Sequence, residues 1–128
     1  MNLELETSFI SKYIVKAKRQ RYLSFINNPK HRKKFLEMLY HGQDIDKDKL
    51  RRLHSSLDIE VILQNLCNAA CYIISSDSTI DGQEMAVDDV FKNIIGRTEG
   101  TVVLFDKEIV YYYGEPPYNE YINIWAVV

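Results

Sequence analysis

The stretch Cys71-Tyr72-Ile73-Ile74-Ser75 decides the fold. Upstream of it, Ile59, Ile62, Leu63 and Leu66 recur with the clearest helical period in the chain. That period can continue through Ala70, Ile73 and Ile74, making one long helix to about residue 75. The competing reading is local: residues 71–75 are β-branched and aromatic, and a polar turn follows them at 75–82. We read a helix over 57–67, opened by Ser55 or Ser56, and then a strand over 71–75.

Downstream, Val87, Val90, Phe91, Ile94 and Ile95 predict a helix over 85–95 that Gly96 stops. Three strand patterns follow, at Thr101–Phe105, Ile109–Tyr113 and Glu120–Val127. Asp106-Lys107-Glu108 is short enough only for a hairpin between the first two. Glu115-Pro116-Pro117 breaks the chain before the last.

Upstream, Thr7 or Ser8 can cap a helix over 8–27. Phe9, Ile10, Tyr13, Ile14 and Ala17 fall on one of its faces; Tyr22, Phe25 and Ile26 fall on another. This change of face predicts a bend near residues 18–21. Asn28-Pro29 starts a second helix, with Phe35, Leu36, Met38 and Leu39 buried, Lys33, Lys34, Glu37 and His41 wet, and Gly42 as its left-handed terminator. A short third helix starts at Asp46, with Ile45 and Leu50 as a hydrophobic staple and Arg51 and Arg52 in its last turn.

The order predicts an α+β fold: about four N-terminal helices packed on a C-terminal β-α-β-β-β unit with a mostly antiparallel sheet. The crossover through the 85–95 helix would set strand 71–75 parallel to a neighbour. With 128 residues, 46% hydrophobic and 27% charged, the chain has ordinary globular composition and suits one domain over 1–128. It holds no apolar run near the ~18 residues of a membrane span. MNLELETSF lacks the basic and apolar regions of a signal peptide. We expect a soluble, cytoplasmic protein.

The formal net charge of −2 hides two opposed halves. Residues 1–56, the basic helical part, carry 13 Lys and Arg against 6 Asp and Glu. Residues 57–128, the acidic α/β part, carry 3 against 12. Residues 7–36 hold nine basic side chains and no acid. Such segregation suits an anionic partner, a homodimer in which opposite halves meet, two layers that neutralise one another inside one fold, or a solvated helix face.

The loop Asp77-Ser-Thr-Ile-Asp81-Gly82-Gln-Glu84 is the one acidic constellation with chemical promise. Asp77, Thr79, Asp81, Gly82 and Asp88 take EF-hand positions, but Glu84 stands where an apolar residue belongs and no sister loop exists, so no metal is expected. Asp77, Asp81 and Glu84 could instead form a catalytic acid/base rim. No nucleophile, P-loop or dinucleotide motif completes such a site, and no cofactor is expected. Cys67 and Cys71 lack zinc or redox spacing and read as buried apolar residues.

Six of residues 111–125 are aromatic, and alternation in the last strand puts Tyr121 and Trp125 on one face. With Tyr113 they form a candidate recognition face. Lys12, Lys16 and Arg19, at helical spacing, and Lys33 with Lys34 form a candidate basic face. The functional expectation is a protein-interaction or binding module, self-association included. The alternatives are a nucleic-acid-binding protein using residues 12–34, and an enzyme or metal site at 77–84.

Overall fold

The structure, a computed structural model, describes residues 1–52, 70–105, 110–115 and 120–122. The helix expected over 57–67 lies outside the described residues. Residues 70–75 form a strand, and every residue from Cys71 to Ser75 is buried. A strand covered on both faces needs no polar alternation, which is why this stretch reads as a short continuous apolar run.

Among the described residues six strands make one sheet: β1 (Arg51–Arg52), β2 (Ala70–Ser75), β3 (Glu84–Ala86), β4 (Thr101–Leu104), β5 (Val110–Tyr113) and β6 (Glu120–Ile122). Their order is β1-β6-β5-β4-β2-β3, with every neighbouring pair antiparallel. Among the described residues four helices accompany them: α1 (Leu3–Tyr13), α2 (Arg19–Ile26), α3 (Arg32–His41) and α4 (Val87–Asn93). The fold is α+β.

Alternation along the strands divides the core in two. Tyr72, Ile74, Val102, Leu104, Val110 and Tyr112 pack with the apolar faces of α1, α2 and α3. Cys71, Ile73, Val103, Phe105 and Tyr111 pack with Val87, Val90 and Ile94 of α4. The sheet is the middle of three layers.

Several local expectations are corrected. Strand 71–75 has no parallel neighbour among the described residues: Tyr72 pairs antiparallel with Leu104 on one side and with Glu84 on the other. The cause is β3, which sequence reading assigned to the start of a helix. The turn at 76–83 folds the chain back beside β2, and α4 then crosses from β3 to β4. The parallel relation of the crossover therefore holds between β3 and β4, with β2 inserted between them.

The helix expected over 8–27 is two helices. Asn2 caps α1, its side chain accepting from the Leu5 amide, so α1 starts before Thr7 and Ser8. It ends at Tyr13 because Ile14 turns extended and pairs with Ile45. The Val15 amide donates to the Asp44 carbonyl and the Asp46 amide to the Tyr13 carbonyl. The break thus falls at 14–15 rather than 18–21, followed by a 3-10 turn at Lys16–Lys18. The expected third helix is a 3-10 turn, Lys47–Lys49; Ile45 and Leu50 are buried, but Arg51 and Arg52 pair as a strand with β6.

α3 follows expectation. Asn28 accepts from the Lys30 amide, Pro29 opens a 3-10 turn that leads into the helix, and Gly42 ends it at φ +68°. Tyr112 of β5 donates its hydroxyl to the Leu39 carbonyl, one of the last carbonyls of α3. A Cβ on Gly42 would collide with that hydroxyl. No helix among the described residues is long and apolar enough to cross a membrane. Tyr112→Phe should lower stability by about 1–2 kcal/mol by stranding the Leu39 carbonyl. Gly42→Ala should cost at least about 1 kcal/mol through its left-handed backbone. Urea unfolding midpoints check both, and unchanged midpoints would refute this account of the α3 terminus.

Candidate functional site

Three segments meet at Arg32. It stands in the first turn of α3, on the same stripe as Phe35 and Leu39, so its side chain heads toward the sheet. Glu6 stands early in α1 on the stripe of Phe9, Ile10 and Tyr13. Asp81 comes from the β2–β3 turn. Arg32 donates through Nη1 to Glu6 and through Nε and Nη2 to the two oxygens of Asp81, at 2.9 and 2.7 Å. The Glu6 side chain is fully buried, and those of Asp81 and Arg32 are 6% and 16% exposed. The Tyr72 hydroxyl donates to Glu6 at 2.6 Å and accepts from the Asn2 amide at 2.9 Å.

Local chemistry holds Asp81 in place. The Asp77 carboxylate accepts from the amide and hydroxyl of Thr79, at 2.9 and 2.6 Å, and winds the turn. The Gly82 amide donates to Ile73, at a backbone φ of +78°. Asp81 then accepts from the Ser75 amide at 3.0 Å while facing Arg32.

Burial alone would lower the pKa of Arg32, but its hydrogen bonds to Asp81 and Glu6 outweigh this and raise it above the ordinary value. Burial, then the bond to Glu6, pushes the Tyr72 hydroxyl well above the ordinary tyrosine range. Hydrogen bonds from Thr79 lower the Asp77 carboxyl below its ordinary value.

Beside this cluster an open groove of about 680 Å³ runs between α3 and the β2–β3 turn. Leu36, Tyr40 and Met1 give it a mostly apolar lining; Lys33, Glu37, Ser76 and Ser78 add polar groups, and Arg32 and Asp81 border it. The Ser76 hydroxyl donates to the Glu99 carbonyl, and Tyr40 donates to the Glu99 carboxylate.

The sequence-predicted acids are not gathered. Asp81 is paired with Arg32, Asp77 binds its own turn, and Glu84 is exposed on β3 opposite Tyr72. Asp88 is exposed in the first turn of α4. Among the described residues no group of His, Cys, Asp and Glu could hold a metal ion.

The sequence-predicted basic residues are spread over several elements. Lys12 stands in the last turn of α1 and Lys16 opens the 3-10 turn, both exposed. Arg19 is half-buried and donates to the Ile14 carbonyl, because the break at 14–15 frees that carbonyl and ends the shared face. Lys33 and Lys34 are exposed on α3, and Lys33 alone of them lines the groove. Of the aromatic residues, Tyr113 is half-buried against the α4-side core, Tyr121 pairs in register with Tyr112, and Trp125 lies outside the described residues.

Sequence reasoning missed Glu6 and Arg32. The signal was present: each is a charged residue on an apolar helical stripe, and the two have opposite signs. Arg32→Met should cost about 3–5 kcal/mol in chemical unfolding, because it leaves buried carboxylates unpaired. Adding Glu6→Gln and Asp81→Asn should recover most of that loss; no recovery would show that Arg32 acts through packing on Phe35 instead. Burial pushes the Cys71 thiol up from 9.0 to about 11. Its contribution to stability is complete below pH 9.0 and is lost as pH climbs through 11. In the folded protein Cys71 should stay unmodified by a thiol reagent at pH 8 and react on unfolding, a difference followed by mass spectrometry of its peptide.

No family model matches the chain, and neither a curated protein nor a solved structure gives a match.

Proposed function

We propose that this chain is a small protein-interaction module that receives its partner in the groove beside α3. The observation that carries the reading is the lining of that groove: Leu36, Tyr40 and Met1 offer apolar surface, rimmed by Lys33 and Glu37. Apolar surface framed by charge of both signs suits a peptide or protein surface, with apolar burial for affinity and the rim for orientation. A second copy of the chain is among the partners that the charge division allows.

The enzymatic reading has less support. Asp77 and Asp81 are engaged by their own neighbours, and Glu84 does not line the groove. Acid/base work needs a carboxylate within reach of substrate and able to exchange a proton.

A photo-crosslinking side chain at position 36, compared in living cells with one at exposed position 92 on α4, tests the proposal. A discrete adduct from position 36 and none from 92 is expected. An adduct of twice the 15.0 kDa chain mass identifies a second copy. No adduct from position 36, or the same adducts from both positions, overturns the groove as the binding site.

A further inference from the structure

We infer that the outer face of α2 and the start of α3 form a docking surface for the phosphate backbone of nucleic acid. Lys18, Arg21 and Phe25 follow one face of α2 at i, i+3 and i+7, with Lys18 already helical at the N-cap. Arg21 lies 5.6 Å from the Phe25 ring centroid. Across the turn, the His31 ring meets Phe25 edge-on at 6.1 Å. Lys30 adjoins His31, and Lys34 follows it by three residues at the start of α3. Phe25 thus bridges α2 and the 3-10 turn that leads into α3, and joins the basic side chains on either side into one strip.

The strip differs from an ordinary solvated face. Solvated helices intersperse both signs, because like charges one turn apart repel. Here Lys18, Arg21, Lys30, His31 and Lys34 are all exposed, and no acid among the described residues pairs with any of them. The chain as a whole is acidic, so the strip is segregated charge rather than a reflection of composition. An anionic polymer relieves that repulsion and gains from counterion release.

Nucleic acid fits better than the two other polyanionic partners. A bilayer surface favours an apolar wedge beside the cations, yet the exposed large hydrophobic residues among those described are Met1 and Leu3, neither on the strip. The acidic half of a second copy is partly committed within its own chain, where Asp81, Glu99 and Glu115 face Arg32, Tyr40 and His41. None of the strip residues lines the α3 groove, so this surface is independent of the one proposed above.

Fluorescence anisotropy with labelled random-sequence 20-nucleotide DNA, single-stranded and duplex, tests the inference. Four phosphate contacts, from Lys18, Arg21, Lys30 and Lys34, predict sequence-independent binding that weakens by about 50- to 150-fold between 50 and 200 mM salt. The triple variant Lys18→Glu, Arg21→Glu, Lys34→Glu should lose binding, and its neutral Gln counterpart should weaken it at least tenfold with an unchanged melting temperature. Lys92→Glu on α4 should bind as the parent does. Absence of binding at 50 mM salt, or binding that ignores both triple variants, overturns the proposal. So does attachment to phosphatidylserine vesicles without binding to DNA, or salt-sensitive dimerisation that the Glu variant abolishes without binding to DNA.

Discussion

The buried guanidinium of Arg32 ties the architecture together. It carries hydrogen bonds to α1 through Glu6 and to the β2–β3 turn through Asp81, from its own place on α3. Through Tyr72, Glu6 extends the cluster to the central strand β2. Apolar packing is tolerant of small slides, whereas a two-pronged guanidinium–carboxylate contact has one geometry. The cluster therefore sets the register of two helices against the sheet. It need not add net stability over an apolar core, since taking the charges out of water costs several kcal/mol per ion.

The cluster also bears on the division of charge. The near-neutral total of −2 conceals a basic half and an acidic half. They meet inside the chain at α3, where Arg32 faces Asp81, Tyr40 faces Glu99 and His41 faces Glu115. Of the two ion pairs, Arg32–Asp81 is largely shielded from water, whereas His41–Glu115 is more than 40% exposed on both sides and contributes little. α3 thus has one edge committed to the acidic half and another, continuous with α2, facing solvent, whose cations meet no acid among the described residues.

Much of the fold was legible where short-range rules operate. The Asn28-Pro29 start and Gly42 end of α3, the antiparallel pairing of 101–104 with 110–113 and the strand at 71–75 all follow from caps, turns and apolar runs. The misses came from long-range pairing. Nothing local to Ile14-Val15 breaks a helix; their partners at residues 44–46 do. Glu84–Ala86 has no strand pattern of its own and becomes one because β2 offers it an edge. The candidate site was less legible. Asp81 was visible as a turn acid, but its pairing depends on two residues 49 and 75 positions away in the chain. Starting α1 at residue 8 concealed Glu6, and reading α3 as an apolar face opposite a wet face left Arg32 without a role.

The layering of the core carries a consequence for synthesis. The apolar faces of α1, α2 and α3 find their cover on Tyr72, Ile74, Val102, Leu104, Val110 and Tyr112. Every one of those side chains is made after the three helices are complete. β1, which follows those helices, meets β6 only when residues 120–122 have emerged. A nascent chain on the ribosome therefore completes three amphipathic helices before any of these strand residues is made. Those helices must wait for the strands to emerge, or be shielded by a factor while the sheet is still inside the exit tunnel.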